Sequence, residues 1–121
     1  MNRNSPLILI VDDHCALRES FMEVLAMKGY RTVGAEDGES ALAMMEVTHP
    51  DLVVMDFQLP GILGSEAIRL IKKSRPALPV IGFSADDQEN EMSAAGADRF
   101  LAKPVAMAEL IAEIEGLLAP A

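Results

Sequence analysis

The sequence predicts an α/β domain built on a parallel sheet, on three observations. Five short aliphatic runs alternate strictly with five stretches of helical spacing. Three of those runs are apolar at almost every residue, as strands covered on both faces must be. The chain has 121 residues, half of them hydrophobic, which suits one compact core and leaves no room for a second. Residues 1–121 are therefore expected to form a single domain, with no linker, repeat or low-complexity tract.

The elements follow in order. Leu7–Val11 reads as the first strand. Leu17, Phe21, Val24, Leu25 and Lys28 then recur at i, i+4, i+7 and i+8 up to a stop at Gly29, an amphipathic helix that Cys15 is placed to start. Arg31–Ala35 is the second strand, and Ala41, Leu42 and Met45 mark a helix ending before His49-Pro50. Leu52–Met55 is the third strand, and Ala67, Ile68 and Ile71 mark a helix ending before Pro76. Val80–Phe83 is followed by Asp86–Ala95, a polar and short stretch where the fourth helix belongs. Arg99–Leu101 and a stripe of Met107, Leu110, Ile111, Ile114, Leu117 and Leu118 close the series. Strict strand–helix alternation requires right-handed crossovers with helices on both faces. At this length the expected topology is a flavodoxin-like, doubly wound (βα)5 sheet of order 2-1-3-4-5, its fourth helix shortened or irregular.

Charge and cysteine usage narrow the function. Ten basic residues against 19 acidic give a net charge of −9, which opposes direct nucleic-acid binding, since that needs Lys and Arg on phosphates. Cys15 is the single cysteine, so no internal disulfide exists and a reducing, cytoplasmic setting is expected. The apolar run Leu7–Val11 is too short for a signal peptide or a membrane span.

In open parallel sheets, ligands bind outside the carboxyl ends of the strands, where strand order reverses. Asp12 and Asp13 follow the first strand, Asp56 ends the third, Ser84 ends the fourth, and Lys103-Pro104 follows the fifth. Each alone has a bland explanation; Asp12 or Asp13 can cap the first helix. Together they place three carboxylates, a hydroxyl and an ammonium on one rim. Clustered carboxylates repel unless a cation joins them, and an oxygen-only donor set selects a hard ion, Mg2+ first. Asp56, ending the central strand, is the candidate nucleophile for phosphorus, with Asp12 and Asp13 as metal ligands and Ser84 and Lys103 on the phosphoryl oxygens. Pro104 fixes the chain beyond Lys103, through either a cis or a trans peptide. His14 reads as a solvated neighbour of the rim, and His49 lies at the opposite end of the sheet.

These residues resemble the receiver domain of two-component response regulators. The resemblance runs through Leu9-Ile10-Val11-Asp12-Asp13-His14, Pro50-Asp51-Leu52-Val53-Val54-Met55-Asp56, Leu59-Pro60 with Gly64, and Val80-Ile81 with Ser84-Ala85. It continues through Ala95-Gly96-Ala97-Asp98 and Phe100-Leu101-Ala102-Lys103-Pro104, and so covers essentially the whole chain. It implies a phospho-acceptor Asp56 and Mg2+ held by Asp12, Asp13, Asp56 and the Gln58 backbone carbonyl. Ser84 and Lys103 would contact the phosphoryl group. The donor would be a phosphohistidine on a sensor histidine kinase or a phosphotransfer protein, and the signal would pass to a downstream protein. Phe100 matches the aromatic position whose rotamer follows phosphorylation; an ordinary edge-strand core aromatic is the other reading. Such a chain is not a conventional enzyme and catalyses only its own phosphorylation and dephosphorylation.

The sequence also departs from the pattern. Between Ser84 and Ala95-Gly96-Ala97 it is close to one helical turn short, at ~3.6 residues per turn. Two other functions compete with the phosphoryl switch. A Mg2+-dependent phosphatase with an Asp nucleophile wants a second Asp two residues on, where Gln58 stands. A receiver-like binding module that no longer phosphorylates would not need the full carboxylate, Ser and Lys set. The basic cluster Arg69–Arg75 reads as a solvated helix face rather than a docking patch, and Met22, Met27, Met44 and Met45 read as core filler.

Overall fold

The computed structural model describes residues 5–85 and 88–119. Its strands are β1 (Leu7–Val11), β2 (Arg31–Ala35), β3 (Leu52–Asp56), β4 (Val80–Ser84) and β5 (Arg99–Ala102). Its helices are α1 (Cys15–Met27), α2 (Gly38–Thr48), α3 (Gly64–Ser74), α4 (Glu89–Ala95) and α5 (Met107–Leu118). All strand pairs are parallel and the order is β2-β1-β3-β4-β5, as the alternation predicts. Every residue of β1, β3 and β4 is buried.

Side-chain alternation along the strands divides the core into two layers. Ile8, Ile10, Leu52, Val54, Ile81 and Phe83 pack with Phe21 and Leu25 of α1 and with Leu110 and Ile114 of α5. Leu9, Val11, Val53, Met55 and Val80 face the other way, onto Ala41 and Met45 of α2, Ala67, Ile68 and Ile71 of α3, and Met92 of α4. A strand sandwiched between two apolar layers must be apolar at both parities, which is why these three runs lack the in–out alternation of a half-exposed strand.

The fourth helix is short, seven residues. Its Met92 and Ala95 side chains are buried in the core, and Glu91 accepts from Ser65 Oγ of α3 (2.8 Å). Gly82 makes room for Met92, because a Cβ there would lie 2.8 Å from the Met92 methyl carbon. The acids Asp86 and Asp87, expected at the helix start, lie outside the described residues.

Two expectations are corrected. Met27 is 79% exposed: it ends α1 on the side away from the sheet, so it fills no core, whereas Met22, Met44 and Met45 do pack inward. Within the basic cluster, Lys72 and Arg75 are not a solvated face. Lys72 Nζ donates to the Leu78 carbonyl (2.6 Å) and to Asp98 Oδ2 (2.8 Å), tying the end of α3 to the turn before β5. Arg75 donates to the Met45 carbonyl (3.2 Å) and lies 2.7 Å from His49 Nδ1, at the amino end of the sheet. Both interactions span about 26 residues of sequence or more, so local charge patterning does not reveal them. No helix among the described residues is long and apolar enough to cross a membrane.

Candidate functional site

The sheet's hydrogen bonding continues one residue past its strands and thereby seats the rim. Asp12 N donates to Ala35 O (3.1 Å), Phe57 N to Phe83 O (3.0 Å) and Lys103 N to Ser84 O (2.8 Å). The backbones at Asp12, Phe57 and Lys103 are thereby tied into the sheet. The Lys103–Pro104 peptide is cis, one of the two forms the sequence allowed.

Asp12, Asp56 and Ser84 are buried. Lys103 Nζ stands 3.2 Å from each carboxylate oxygen of Asp56 and 5.1 Å from the Phe83 ring centre. Burial pushes the Asp56 carboxyl up from its ordinary value of 3.8 to about 6; Lys103 opposes the rise and the Asp12 charge adds to it. Burial is the main cause of the rise, and a further cation at the site would lower it.

The donor atoms suit a cation. Asp12 Oδ2 is buried and accepts no hydrogen bond, and such atoms are rare unless an ion or water completes them; Asp56 Oδ1 also lacks a hydrogen bond, with the Lys103 ammonium as its ion-pair partner. Ligand atoms of Asp12, Asp13, His14 and Asp56 all lie within 4.8 Å of one another. Asp13 is the solvent-facing carboxylate, its side chain 39% exposed. The carboxylates offer the hard oxygens that Mg2+ takes, with room left for water.

Asp12, Asp13 and Asp56 come together and Lys103 reaches Asp56, while Ser84 ends the neighbouring strand β4; the sequence reading needs one revision. His14 is solvated, as expected, its side chain 70% exposed, but it is also a member of the cluster: Nδ1 lies 3.3 Å from Asp12 Oδ1 and from Asp13 Oδ1. It occupies the residue before α1 without a side-chain cap, and its N–H donates to Asp12 Oδ1 (2.9 Å). The backbone at the helix start thus orients Asp12 rather than leaving it a simple cap. His49 lies far away, capping α2 at φ 53°. Cys15 starts α1, and its thiol is pushed up by a hydrogen bond to Glu19 (2.9 Å) and by the Glu19 charge, which disfavours the thiolate.

Ser84 donates to Gln88 Oε1 (2.7 Å) at the start of α4. Phe100 is half-buried and packs on the α2–α3–α4 layer; it pairs with Gly82 while Ser84 pairs with Ala102, so Ser84 and Phe100 share one face of the sheet. Two contributors carried no sequence signal. Arg18 Nη1 donates to the Asp12 carbonyl (2.6 Å), and Gln88 holds the Ser84 hydroxyl. Each is a polar residue on a polar helix surface, and only the fold shows what it touches.

Comparison with known proteins agrees with this geometry. The family model described as the response regulator receiver domain matches residues 8–115. The response regulator MprA of Mycolicibacterium vanbaalenii is 40% identical over 114 residues, 92% of this chain but 49% of that protein. The chain thus spans about half the length of the curated relatives it matches. Among solved structures, a putative response regulator from Chloroflexus aurantiacus aligns with a TM-score of 0.90 at 30% identity, covering 97% of this chain and all of that one. The response regulator TrrA from Thermotoga maritima, solved in complex with Mg2+-BeF, aligns with a TM-score of 0.87 at 32% identity, covering 93% and 99%.

Proposed function

Since the chain belongs to the response regulator receiver domain family, we propose that Asp56 is its phospho-acceptor and that residues 1–121 act as a single phosphorylation-switched receiver. The observation that carries this reading is the setting of Asp56: a buried carboxylate at the end of the central strand, with the Lys103 ammonium 3.2 Å from both its oxygens. Response regulators receive phosphate from histidine kinases, and the donor here would be a phosphohistidine of a sensor kinase or of a phosphotransfer protein.

In the proposed step an Asp56 carboxylate oxygen attacks phosphorus, the phosphorus–nitrogen bond to the donor imidazole breaks, and an acyl phosphate forms. Asp12, Asp13, Asp56 and the Gln58 backbone carbonyl would hold Mg2+. When bound, that ion offsets the charge on the phosphoryl oxygens. Lys103 pairs with one of those oxygens. The Ser84 hydroxyl leaves Gln88 to bond another, on the sheet face that also carries Phe100. The added charge of about −1.5 to −2 thus becomes a rearrangement around α4 and β5, which a downstream partner protein reads in the cytoplasm. Receiver domains are not conventional enzymes; this one would catalyse only its own phosphorylation and dephosphorylation. Gln58 at the general-acid position of a phosphatase, and the assembled carboxylate, Ser and Lys set, both disfavour the two competing functions.

The test is intact-mass measurement after incubation with Mg2+ and acetyl phosphate. One phosphoryl group should be gained by the natural chain and none by Asp56→Asn. Failure to gain it, or a gain that survives the substitution, overturns the reading.

A further inference from the structure

The magnesium reading leaves one donor of the cluster unused. His14 Nδ1 is 3.3 Å from Asp12 Oδ1 and 3.3 Å from Asp13 Oδ1. In an octahedral ion with bonds of about 2.1 Å, adjacent ligands lie about 3.0 Å apart and opposite ones about 4.2 Å. The imidazole is within hydrogen-bond distance of Asp12 Oδ1, and its spacing to both carboxylates is close to the adjacent value, so an ion would replace that hydrogen bond with coordination. The widest spacing within the four-residue set, up to 4.8 Å, needs only a small contraction to meet the opposite one.

A second observation points to an ion at this place. Asp12 is fully buried and its Oδ2 accepts no hydrogen bond. The position of His14 is also set by the backbone: its extended conformation (φ −84°, ψ 101°) and the bond from its N–H to Asp12 Oδ1 hold the residue at the rim, beside the carboxylates. The ring is largely solvent-exposed, so a hydrated ion reaches it without any opening of the core.

Resting on the assignment of this site to the phosphoryl switch, we infer that His14 Nδ1 is a ligand for divalent ions that accept nitrogen, and so sets the ion specificity of the site. Mg2+ prefers oxygen and keeps water in that position. Mn2+, Co2+ and Zn2+ take imidazole, with affinity rising from Mn2+ to Co2+. The site is thus a mixed carboxylate–imidazole centre for a borderline ion and an oxygen centre for Mg2+.

The experiment titrates the whole chain with Mg2+ and, separately, with Co2+ by isothermal calorimetry, for the natural protein and His14→Ala. Loss of a ligand should lower the preference for Co2+ over Mg2+ by about tenfold or more. Titration with diamagnetic Zn2+, followed by nitrogen NMR of the imidazoles, should shift His14 Nδ1 and leave His49 in place. An unchanged Co2+/Mg2+ ratio in His14→Ala, or a His14 resonance that does not move, overturns the inference. If Mg2+ still binds and Asp56 still gains a phosphoryl group, that failure belongs to His14 alone. If the natural chain binds no divalent ion, the metal site and the inference fall together.

Discussion

Gly64 abuts the backbone of Asp56. A Cβ at position 64 would overlap the Asp56 carbonyl oxygen and lie 2.8 Å from Phe57 Cα, while Gly64 N donates to Phe57 O at 2.9 Å. The start of α3 is thereby pressed onto the end of β3, behind the candidate phospho-acceptor. Because the obstructing atoms are backbone, they have no rotamer by which to yield. Gly64→Ala should cost about 1–3 kcal/mol of stability, read as a lower midpoint in urea, and should slow phosphorylation by acetyl phosphate because Asp56 moves with its carbonyl.

Asp56→Asn should raise thermal stability at pH 7. Burial raises the folded carboxyl from 3.8 to about 6, so between those values the folded state binds more protons than the unfolded one. Stability is therefore lost as pH climbs through that window. The amide resembles the protonated acid and avoids the loss, a gain on the order of 2–3 kcal/mol before the unpaired Lys103 is counted. The gain should vanish below about pH 4. Thermal melts of both proteins from pH 4 to 8 check this, and an equal difference at every pH would contradict it.

Lys103→Met removes the charge that restrains Asp56. The Asp56 carboxyl should then titrate above about 6, followed by carbon NMR of the carboxylate. The initial rate of phosphorylation should fall by roughly 100-fold, the scale for removing one donor to a developing anion.

Gln88→Ala should favour the phosphorylated form. The Ser84 hydroxyl donates to Gln88 Oε1 at 2.7 Å and must give up that bond to reach a phosphoryl oxygen. A bond of this kind contributes about 0.5–1.5 kcal/mol, so affinity for the phosphoryl mimic BeF should increase by about two- to tenfold, measured by calorimetry in the presence of Mg2+.

Asp98→Ala should destabilise the chain by about 1–3 kcal/mol. Asp98 Oδ2 accepts from Val80 N (2.8 Å) and from Lys72 Nζ (2.8 Å), so its removal leaves a strand-start amide and a largely buried ammonium without that partner. Lys72→Met should cost less, because Val80 keeps its acceptor. Urea denaturation of the two variants ranks them.

The parallel sheet with helices on both faces was legible in the sequence because burial imposes a pattern. Leu7–Val11 and Val80–Phe83 are apolar at both parities only if both faces are covered, and Phe21, Leu25, Leu110 and Ile114 recur at helical spacing because one helix face meets the sheet. The rim was legible for a related reason: in a parallel sheet every strand ends on the same edge, so Asp12, Asp13, Asp56, Ser84 and Lys103 had to converge there.

Contacts that no periodicity encodes were decided by the tertiary structure. Met27 has the composition of a core residue and the position of a surface one. Lys72 and Arg75 read as surface charge until Asp98 and Met45 arrive from distant segments to accept their hydrogen bonds. His14 read as a bystander, because whether an imidazole at a helix start faces solvent or a carboxylate depends on the backbone angle there and on the packing of α1. By itself the sequence determined which backbone positions meet at the rim, since strand direction does that through hydrogen bonding. Only the folded chain decided the charge state of Asp56 and the partners of its neighbours, since burial and ångström-scale distance set the energies of charged groups.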